Sequence, residues 1–315
     1  MKNMVCVFLV SVLTLTGCNA QQDPERPVAP NQESSGEDAE GSVLDFYRQH
    51  SSFTDPGEYG YLYENLPDSL PELCSLVKSQ FIHPYAVPEY REQIPRERWS
   101  EYLEYPTAES ILEGLLSYDS SGLISDRELE DRLVLGCQQN ALVLASILRC
   151  RGIPVRVRYG HVDYLVPGSH ASHVICEVWN EDDRRWMLVD PSTDRIDFGR
   201  EEFDFSNELW LELQRGEVDL SLYGIPGRYS GTVSIIAKVP LDLASILGTE
   251  YPITQYAPIL DYAFENNDEL TAGHIEALNE ISERMRSIDA ESLSRLNEIY
   301  DSTPEIQLSE SSLQE

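Results

Sequence analysis

The fold is decided by a stretch in the middle of the chain, which reads GCQQNALVLASILRCRGIPVRV over residues 136–157. From Cys137 onwards, apolar residues predict a helix, and only one polar residue interrupts positions 141–148. A helix that is apolar on all sides is expected to be buried. Gly152 and Pro154 predict its end, because glycine suits the left-handed position after a helix and proline cannot continue one.

The residues after this helix predict an antiparallel sheet. Valine and arginine alternate over 155–159, and such a period of two is typical of a strand. A Pro167-Gly168 turn precedes a second apolar segment at 173–179. After a charged loop comes a third segment at 186–189. We interpret the last two segments as a β-hairpin.

Cys137 stands at the start of the buried helix, which is a favourable position for a nucleophile. The first N–H groups of a helix have no intrahelical acceptor and carry about half a positive charge, so they stabilise a thiolate or an oxyanion. A cysteine nucleophile also needs a nearby base, and that base needs a group that orients it. Of the six histidines, only His173 opens a strand whose neighbour ends in an acid, Asp190.

The register of the predicted hairpin places His173 beside Asp190. If Trp179 faces Trp186 across the loop, then Ile175 faces Asp190, and His173 lies two positions further along the same face. Diagonal neighbours in an antiparallel pair have backbones about 7–8 Å apart, which allows contact between their side chains. A slip of one residue would turn Asp190 to the opposite face.

Three segments of this region resemble the transglutaminase-like family in their order and spacing. Residues 136–138, with the apolar helix and residues 152–156 after them, resemble the nucleophile segment of that family. Residues 173–179 resemble its histidine strand, and residues 186–191 resemble its aspartate strand. The resemblance covers about residues 133–195.

The resemblance implies an α+β fold with a papain-like core, in which the Cys-bearing helix packs on an antiparallel sheet that bears His and Asp. Helical extensions would flank this core on its N- and C-terminal sides. The implied catalytic triad is Cys137, His173 and Asp190, which would attack an amide or ester carbonyl through an acyl thioester. In relatives an upstream side chain completes the oxyanion hole, and the sequence does not identify it here.

Composition and local signals divide the chain around this core. Residues 19–41 are rich in acidic residues and proline, so they cannot bury enough apolar surface to fold. Leu129, Leu133 and Val134 predict a short helix that leads into Cys137. The predicted parts are a lipoprotein signal peptide (1–17), a disordered tether (18–41), a helical N-terminal part (42–130), the catalytic core (131–200), a mainly helical C-terminal extension (201–300) and a flexible tail (301–315).

The N-terminus resembles the signal of a bacterial lipoprotein. Lys2 is followed by an apolar run over 4–16, which is shorter than the roughly 20 residues of a membrane-spanning helix. The run ends in Leu-Thr-Gly before Cys18, as in the lipobox where the cysteine is diacylated. We therefore expect a cell-envelope protein anchored by palmitate-type lipid on Cys18. Asn19 favours the outer membrane if the cell is Gram-negative; the alternative is an ordinary secretory signal with an incidental cysteine.

The charge balance narrows the class of partner. The chain has 55 acidic and 23 basic residues and a formal net charge of −32. Such a surface repels nucleic acid, so no nucleic-acid role is expected. The pattern predicts no cofactor and no metal site. The expected partners are a peptide or protein substrate and, through the lipid on Cys18, the membrane.

The remaining cysteines allow at most limited cross-linking. Cys74, Cys150 and Cys176 are left once Cys137 is a free nucleophile, and an odd number leaves at least one further thiol free. Cys150 and Cys176 have no motif around them, so both are interpreted as buried apolar residues. Cys176 also falls on the face opposite the hairpin histidine.

Two alternative roles for residues in or near the hairpin, orienting His173 through Glu177 and binding a metal through His170, are less favoured by the pattern. Glu177 shares a face with His173, but an ion pair with Arg156 or Arg158 is the more favourable use of it. His170 and two members of the triad would give a metal only three ligands, without the pattern for a fourth.

The sequence therefore predicts an envelope cysteine hydrolase or acyltransferase that acts on peptide-like amides. Water as the acceptor would give hydrolysis, and an amine would give acyl transfer. The alternative is a non-catalytic transglutaminase-like module with a binding or scaffold role in the envelope. The three ordered segments with their nucleophile, base and orienting acid favour the enzyme.

Overall fold

A computed structural model describes residue 27 and residues 36–224 and 230–308. These residues form an α+β fold in which helices surround an antiparallel sheet. The α-helices of the described residues are α1 (Gly36–Arg48), α2 (Leu70–Ser79), α3 (Ala108–Tyr118), α4 (Cys137–Cys150), α5 (Ser206–Gln214), α6 (Thr232–Ile236), α7 (Lys238–Ile246), α8 (Pro258–Glu265), α9 (Ala272–Arg284) and α10 (Ala290–Ser302).

The strands form one large sheet and one small one. They are β1 (Phe81–Ile82), β2 (Leu133–Val134), β3 (Val155–Val166), β4 (Ser169–Asn180), β5 (Arg185–Asp190), β6 (Arg195–Ile196) and β7 (Asp204–Phe205). The large sheet is antiparallel, with the strand order β6-β5-β4-β3-β7. The small sheet is the parallel pair of β1 and β2.

Helix α4 packs on the large sheet, as the α+β prediction requires. Every residue of α4 from Cys137 to Arg149 is buried, because the helix lies between the sheet and other helices. Its sheet-side neighbours include Val157 and Val174. The thiol of Cys176 on β4 donates a 3.4 Å hydrogen bond to a backbone carbonyl of the helix. The helix that begins at Cys137 is therefore held along its whole length.

The hairpin of β4 and β5 has the predicted register. Trp179 pairs with Trp186, and Cys176 pairs with Val189. The same register, continued by one residue, sets Asp190 on the face that bears the histidine of β4.

Strands β3 and β4 extend further than the sequence pattern indicates. They meet at a turn where Gly168 has a φ of 76°, so His173 lies within β4 and not at its start. His173 pairs with Gly160 of β3. A Cβ at Gly160 would lie 2.3 Å from the backbone oxygen of Asp204 and 2.7 Å from the ring of Phe203. Glycine is therefore required at this position for β7 to pair with β3.

Helix α7 closes the part of the β3 edge that lies before β7. Arg158 donates two 2.9 Å hydrogen bonds to the two carboxylate oxygens of Asp242. Asp242 also accepts from the backbone N–H of Tyr159 at 3.0 Å, and the hydroxyl of Ser245 donates to the carbonyl of Val157 at 2.7 Å. Side chains of α7 thus satisfy backbone groups of the strand.

Both ends of the described chain contain more structure than predicted. Helix α1 begins at Gly36, inside the predicted tether 18–41, because its later turns pack apolar side chains on the core. The predicted tail 301–315 is ordered as far as Leu308. Ile306 and Leu308 are 1% and 5% exposed, since their apolar side chains reach the core.

The segment before α4 also differs from the prediction. Residues 129–134 form a 3-10 turn at Leu129–Asp131 and then β2, and not a helix. Leu133 and Val134 pair with the two residues of β1, about fifty residues earlier in the chain. Contacts this distant override the local pattern.

The membrane prediction concerns a different part of the chain. Among residues 36–224 and 230–308, no helix has the length and the apolar character that a membrane crossing needs. The predicted signal peptide and Cys18 lie outside the described residues.

We expect Asp242→Ala to lower the free energy of unfolding by about 3–5 kcal/mol, because it leaves the buried Arg158 without its two-point partner. Urea unfolding followed by circular dichroism measures this change. Glu208→Ala is the control, since it removes an ion pair with Arg200 whose two side chains are 38% and 54% exposed, and it should cost less than about 1 kcal/mol. Equal losses in the two variants would contradict the structural role of the buried pair.

Candidate active site

Cys137 is the first residue of α4 and is 7% exposed. Polar side chains of the next residues hold the start of the helix. The backbone N–H of Gly136 donates to Oε1 of Gln139 at 3.1 Å, and Nδ2 of Asn140 donates to the carbonyl of Gly136 at 2.8 Å. This bonding explains why the first turn of an otherwise apolar helix is polar.

His173 and Asp190 lie in direct contact. Nε2 of His173 is 2.8 Å from Oδ2 of Asp190, and both side chains are almost completely buried. The contact follows from the hairpin register, because both residues lie on the same face of β4 and β5. The imidazole is therefore oriented by a carboxylate, with its Nδ1 on the other side of the ring.

Further donors surround the carboxylate of Asp190. Its Oδ2 accepts hydrogen bonds from the hydroxyl groups of Tyr164 and Thr193 at 2.8 and 2.7 Å, and its Oδ1 accepts from the backbone N–H of Ser192 at 2.9 Å. Burial by itself raises the pKa of Asp190, but the charge of His173 and these hydrogen bonds lower it below its ordinary value. Asp190 therefore stays ionised although it is buried.

The thiol of Cys137 interacts with the imidazole of His173. Burial by itself raises the pKa of this thiol, but the charge of His173 and hydrogen bonds from His173 and His83 outweigh burial and lower the pKa to about 5. Burial likewise opposes a charge on His173, whereas Cys137 and Asp190 raise its pKa to about 10. At neutral pH the favoured state is a thiolate beside an imidazolium. The structure brings Cys137, His173 and Asp190 together.

His83 is a fourth side chain at this place, which the sequence did not indicate. The pairing of β1 with β2 brings it next to Gly136, and its Nε2 is 3.8 Å from where a Cβ on Gly136 would lie. Its Nδ1 accepts a 3.2 Å hydrogen bond from the backbone N–H of Tyr85. The neutral ring therefore carries its proton on Nε2. This places an N–H donor beside the sulfur of Cys137.

The comparison with protein families agrees with this geometry. Residues 129–191 match the model of the transglutaminase-like superfamily, and they include Cys137, His173 and Asp190. This segment of the chain is therefore similar to the transglutaminase-like superfamily. Searches among curated proteins and among solved structures gave no match.

The transglutaminase-like core places the other cysteines away from this centre. Cys74 and Cys176 are free and buried. Cys150 is exposed, with its sulfur 3.3 Å from Nε2 of His50, so the prediction that Cys150 is a buried residue is wrong. It is the last residue of α4, where the helix emerges from the core.

Glu177 and His170 have partners other than Cys137, His173 and Asp190. Oε2 of Glu177 is 2.8 Å from Nη1 of Arg158 and 3.4 Å from Nη1 of Arg156, which is the predicted ion pair. Nδ1 of His170 is 2.5 Å from Oδ2 of Asp204 and not near Asp190. In the part of the chain that the structure describes, no group of three His, Cys, Asp or Glu residues is arranged to hold a metal ion.

We expect iodoacetamide to alkylate Cys137 at a nearly constant rate between pH 6 and pH 8, because its thiol is already ionised above about pH 5. Cys150 is the internal control. Its pKa is raised by burial, so its rate should rise about tenfold per pH unit over the same range. Mass spectrometry of the labelled peptides measures both rates. A rate at Cys137 that rises in parallel with Cys150 would contradict the ion pair.

Proposed function

We propose that this chain is a cell-envelope cysteine hydrolase or acyltransferase that acts on peptide-like amides. The observation that carries the proposal is the connected series Cys137, His173 and Asp190 at the N-terminus of α4, called the triad. It supplies a nucleophile, a base and an orienting acid, each in contact with the next.

In the first half of the reaction the thiolate of Cys137 attacks the carbonyl carbon of the substrate. A carbon–sulfur bond forms, and the electron pair of the carbonyl moves to its oxygen. When the intermediate collapses, the bond to the leaving nitrogen breaks and His173 gives that nitrogen its proton. The product is an acyl thioester on Cys137, and a free amine departs.

In the second half an acceptor attacks the thioester. His173, now neutral, takes the proton of the acceptor, and the carbon–sulfur bond breaks to restore the thiolate and imidazolium. Water as the acceptor yields a carboxylic acid, and a primary amine yields a new amide. Asp190 stays ionised and holds the imidazole in one orientation throughout.

His83 fits the role of an oxyanion donor in this reaction. Its Nε2–H lies beside the sulfur, where the carbonyl oxygen becomes negative on attack. The first backbone N–H groups of α4 supply the second donor, because they have no intrahelical acceptor. His83 is upstream of the nucleophile, which is where relatives carry the corresponding side chain.

A binding module would gain nothing from this arrangement. A buried thiolate and imidazolium are costly to desolvate and are stable only as a pair. Simple apolar packing would be at least as stable at this point of the core. The ionised pair therefore favours catalysis over a scaffold role.

We expect p-nitrophenyl acetate to give a burst of p-nitrophenolate equal to the enzyme concentration and an acetyl adduct on Cys137. Cys137→Ala should abolish the burst. His83→Ala should slow it by about 10²–10³-fold, because one oxyanion donor is lost. Rapid-mixing absorbance and mass spectrometry measure these effects.

The control variant for this experiment is His50→Ala, which removes a histidine that lies against Cys150. It should leave the burst unchanged. A primary amine added in excess speeds the slow phase if an amine is the natural type of acceptor, and leaves it unchanged if the enzyme is a hydrolase. A wild-type chain that forms no acyl adduct would contradict the proposal.

The envelope location rests on the N-terminal residues. The short apolar run and Cys18 fit a lipoprotein signal, which would place the enzyme on a membrane through lipid and close to peptide or protein substrates in the envelope. In a Gram-negative cell, Asn19 favours the outer membrane.

We expect cells expressing the full chain to incorporate alkyne-palmitate into it and to retain it in the membrane fraction after high-salt washing. Cys18→Ala should lose the label and leave the membrane fraction, because the acceptor thiol is gone. Cys74→Ala, a change at a buried cysteine outside the signal, should keep both properties. Labelling that persists in Cys18→Ala would show that the lipid is attached elsewhere, and a wild-type chain that takes up no label would contradict the lipid anchor.

A further inference from the structure

Lys238, the first residue of α7, is a largely buried cation that has no partner in the described part of the chain. It is 6% exposed, and among the described residues its ammonium group makes no hydrogen bond or ion pair. Burial lowers its pKa to about 8, and the charge that acts on it most is that of Cys137, which raises the pKa. An ammonium on a largely buried side chain that has no counterion is costly, so the group calls for an explanation.

Other buried cations of the chain are compensated. Arg149 pairs with Glu250 at 2.7 Å, and Arg158 pairs with Asp242 at 2.9 Å. Each of these pairs joins elements that pack together, so each has a structural use. Lys238 has no such ion pair within the described residues, and the charge that acts on it is that of Cys137.

The position of Lys238 follows from the helix that precedes it. The backbone N–H of Ala237 bonds to the carbonyl of Val233 at 3.0 Å, and Ala237, which separates α6 from α7, has helical φ and ψ. Ser234 and Lys238 are four residues apart and therefore share one face. The hydroxyl of Ser234 is 2.8 Å from Nε2 of His161 on β3. Lys238 is thus directed to the same part of β3.

That part of β3 adjoins the triad. His161 follows Gly160, which pairs with His173 across the strands. Its side chain lies on the alternate face, the one that bears Tyr159 and packs against α4. Consistent with this, Lys238 acts on His161, whose pKa falls to about 3 through burial first and the charge of Lys238 second. His161 is therefore neutral.

Two more polar groups at this place lack partners. Nδ1 of His161 and the hydroxyl of Ser172 are buried and make no hydrogen bond within the described residues. Ser172 pairs with His161 in the β3–β4 register and directly precedes His173. One cation and two neutral polar groups with unused hydrogen-bonding capacity thus collect on the face of β3 and β4 that packs against α4, the helix that begins at Cys137.

We propose that Lys238, His161 and Ser172 form a subsite, called the carboxylate subsite, that binds a carboxylate of the substrate next to the reacting carbonyl. The inference rests on the proposed acyl-transfer function and adds a substrate class to it: an amide or ester with a free carboxylate near the bond that is cleaved.

A carboxylate fits this set better than a phosphate does. Its single negative charge matches the single ammonium, and its two oxygens can accept from Lys238, from Ser172 and from a His161 that carries its proton on Nδ1. A phosphate dianion calls for more cationic donors, such as a cluster of arginines. The bound carboxylate would also supply the counterion that Lys238 lacks.

Two alkylating reagents test the carboxylate subsite without knowledge of the natural substrate. Iodoacetate and iodoacetamide react with the same thiolate and have nearly the same size, but only iodoacetate carries a carboxylate. We expect Lys238→Met to lower the ratio of their rates at Cys137 by about tenfold, because the charge-assisted contact is lost. Lys238→Arg, which keeps the charge, should retain most of the ratio. Cys150 in the same molecules is the control, and its ratio should not change.

The second readout separates the carboxylate subsite from a general effect on the thiolate. If Lys238 only stabilises the thiolate, Lys238→Met slows both reagents equally and raises the pH at which Cys137 becomes reactive. That outcome, or an unchanged ratio, would overturn the proposal. Lys238→Met should fold, because a side chain of similar length replaces an unpaired buried charge. Thermal unfolding confirms that the variant is folded.

A third set of reagents locates the carboxylate. The p-nitrophenyl esters of N-acetyl-glutamyl-glycine and N-acetyl-glutaminyl-glycine compare a carboxylate with a neutral amide in a side chain on the acyl side. The acetyl esters of 4-hydroxybenzoate and 4-hydroxybenzamide compare a carboxylate with a neutral amide on the leaving group. A free C-terminus of a peptide substrate would lie on that side. The preferred pair should lose about tenfold in kcat/KM in Lys238→Met, mainly through KM, while its neutral partner is unaffected. The wild-type chain could give no burst with any ester and still alkylate at the expected ratio of iodoacetate to iodoacetamide rates. That result would refute the acyl-transfer function but not the carboxylate subsite.

Discussion

The buried pair of Arg158 and Asp242 is the interaction on which the arrangement of this protein depends. It joins the middle of β3 to the middle of α7, two segments more than eighty residues apart in the chain. Both charges are desolvated, so strand and helix are stable together only where both hydrogen bonds form. The first residue of α7 is Lys238, and its position against β3 is thereby determined. Glu177, on the other side of Arg158, ties the same charge to β4.

The ionised groups of the site depend on one another in the same way. Cys137 belongs to a helix, and His173 and Asp190 to a hairpin, so the charged series forms only when the helix N-terminus and the hairpin are both in place. Negative, positive and negative groups alternate along it, and each lowers the cost of burying the next. Assembly of the fold and ionisation of the thiol are consequently one event.

The part of the site that could be predicted from the sequence is the part with local patterns. The helix start at Cys137 and the two-residue period of the hairpin that carries His173 and Asp190 are both visible in short windows. His83 was not predictable, because a two-residue parallel pairing brings it to the site and residues 129–134 have a helical pattern. Lys238 lies in a helix whose packing on β3 depends on a distant ion pair. The α+β class was predictable, because the long helix and the alternating strands have local patterns. The short strands β1, β2, β6 and β7 were not, because two residues are too few to show one.

The edge of β3 has a consequence for how this protein behaves beside its own copies. An edge strand usually presents unpaired N–H and C=O groups, which invite a strand of another molecule. In β3, side chains form hydrogen bonds with these backbone groups. Arg149 donates to the carbonyl of Val155, Ser245 donates to that of Val157, and Asp242 accepts from the N–H of Tyr159. A strand of a neighbouring copy therefore finds few free backbone groups to pair with along this part of β3.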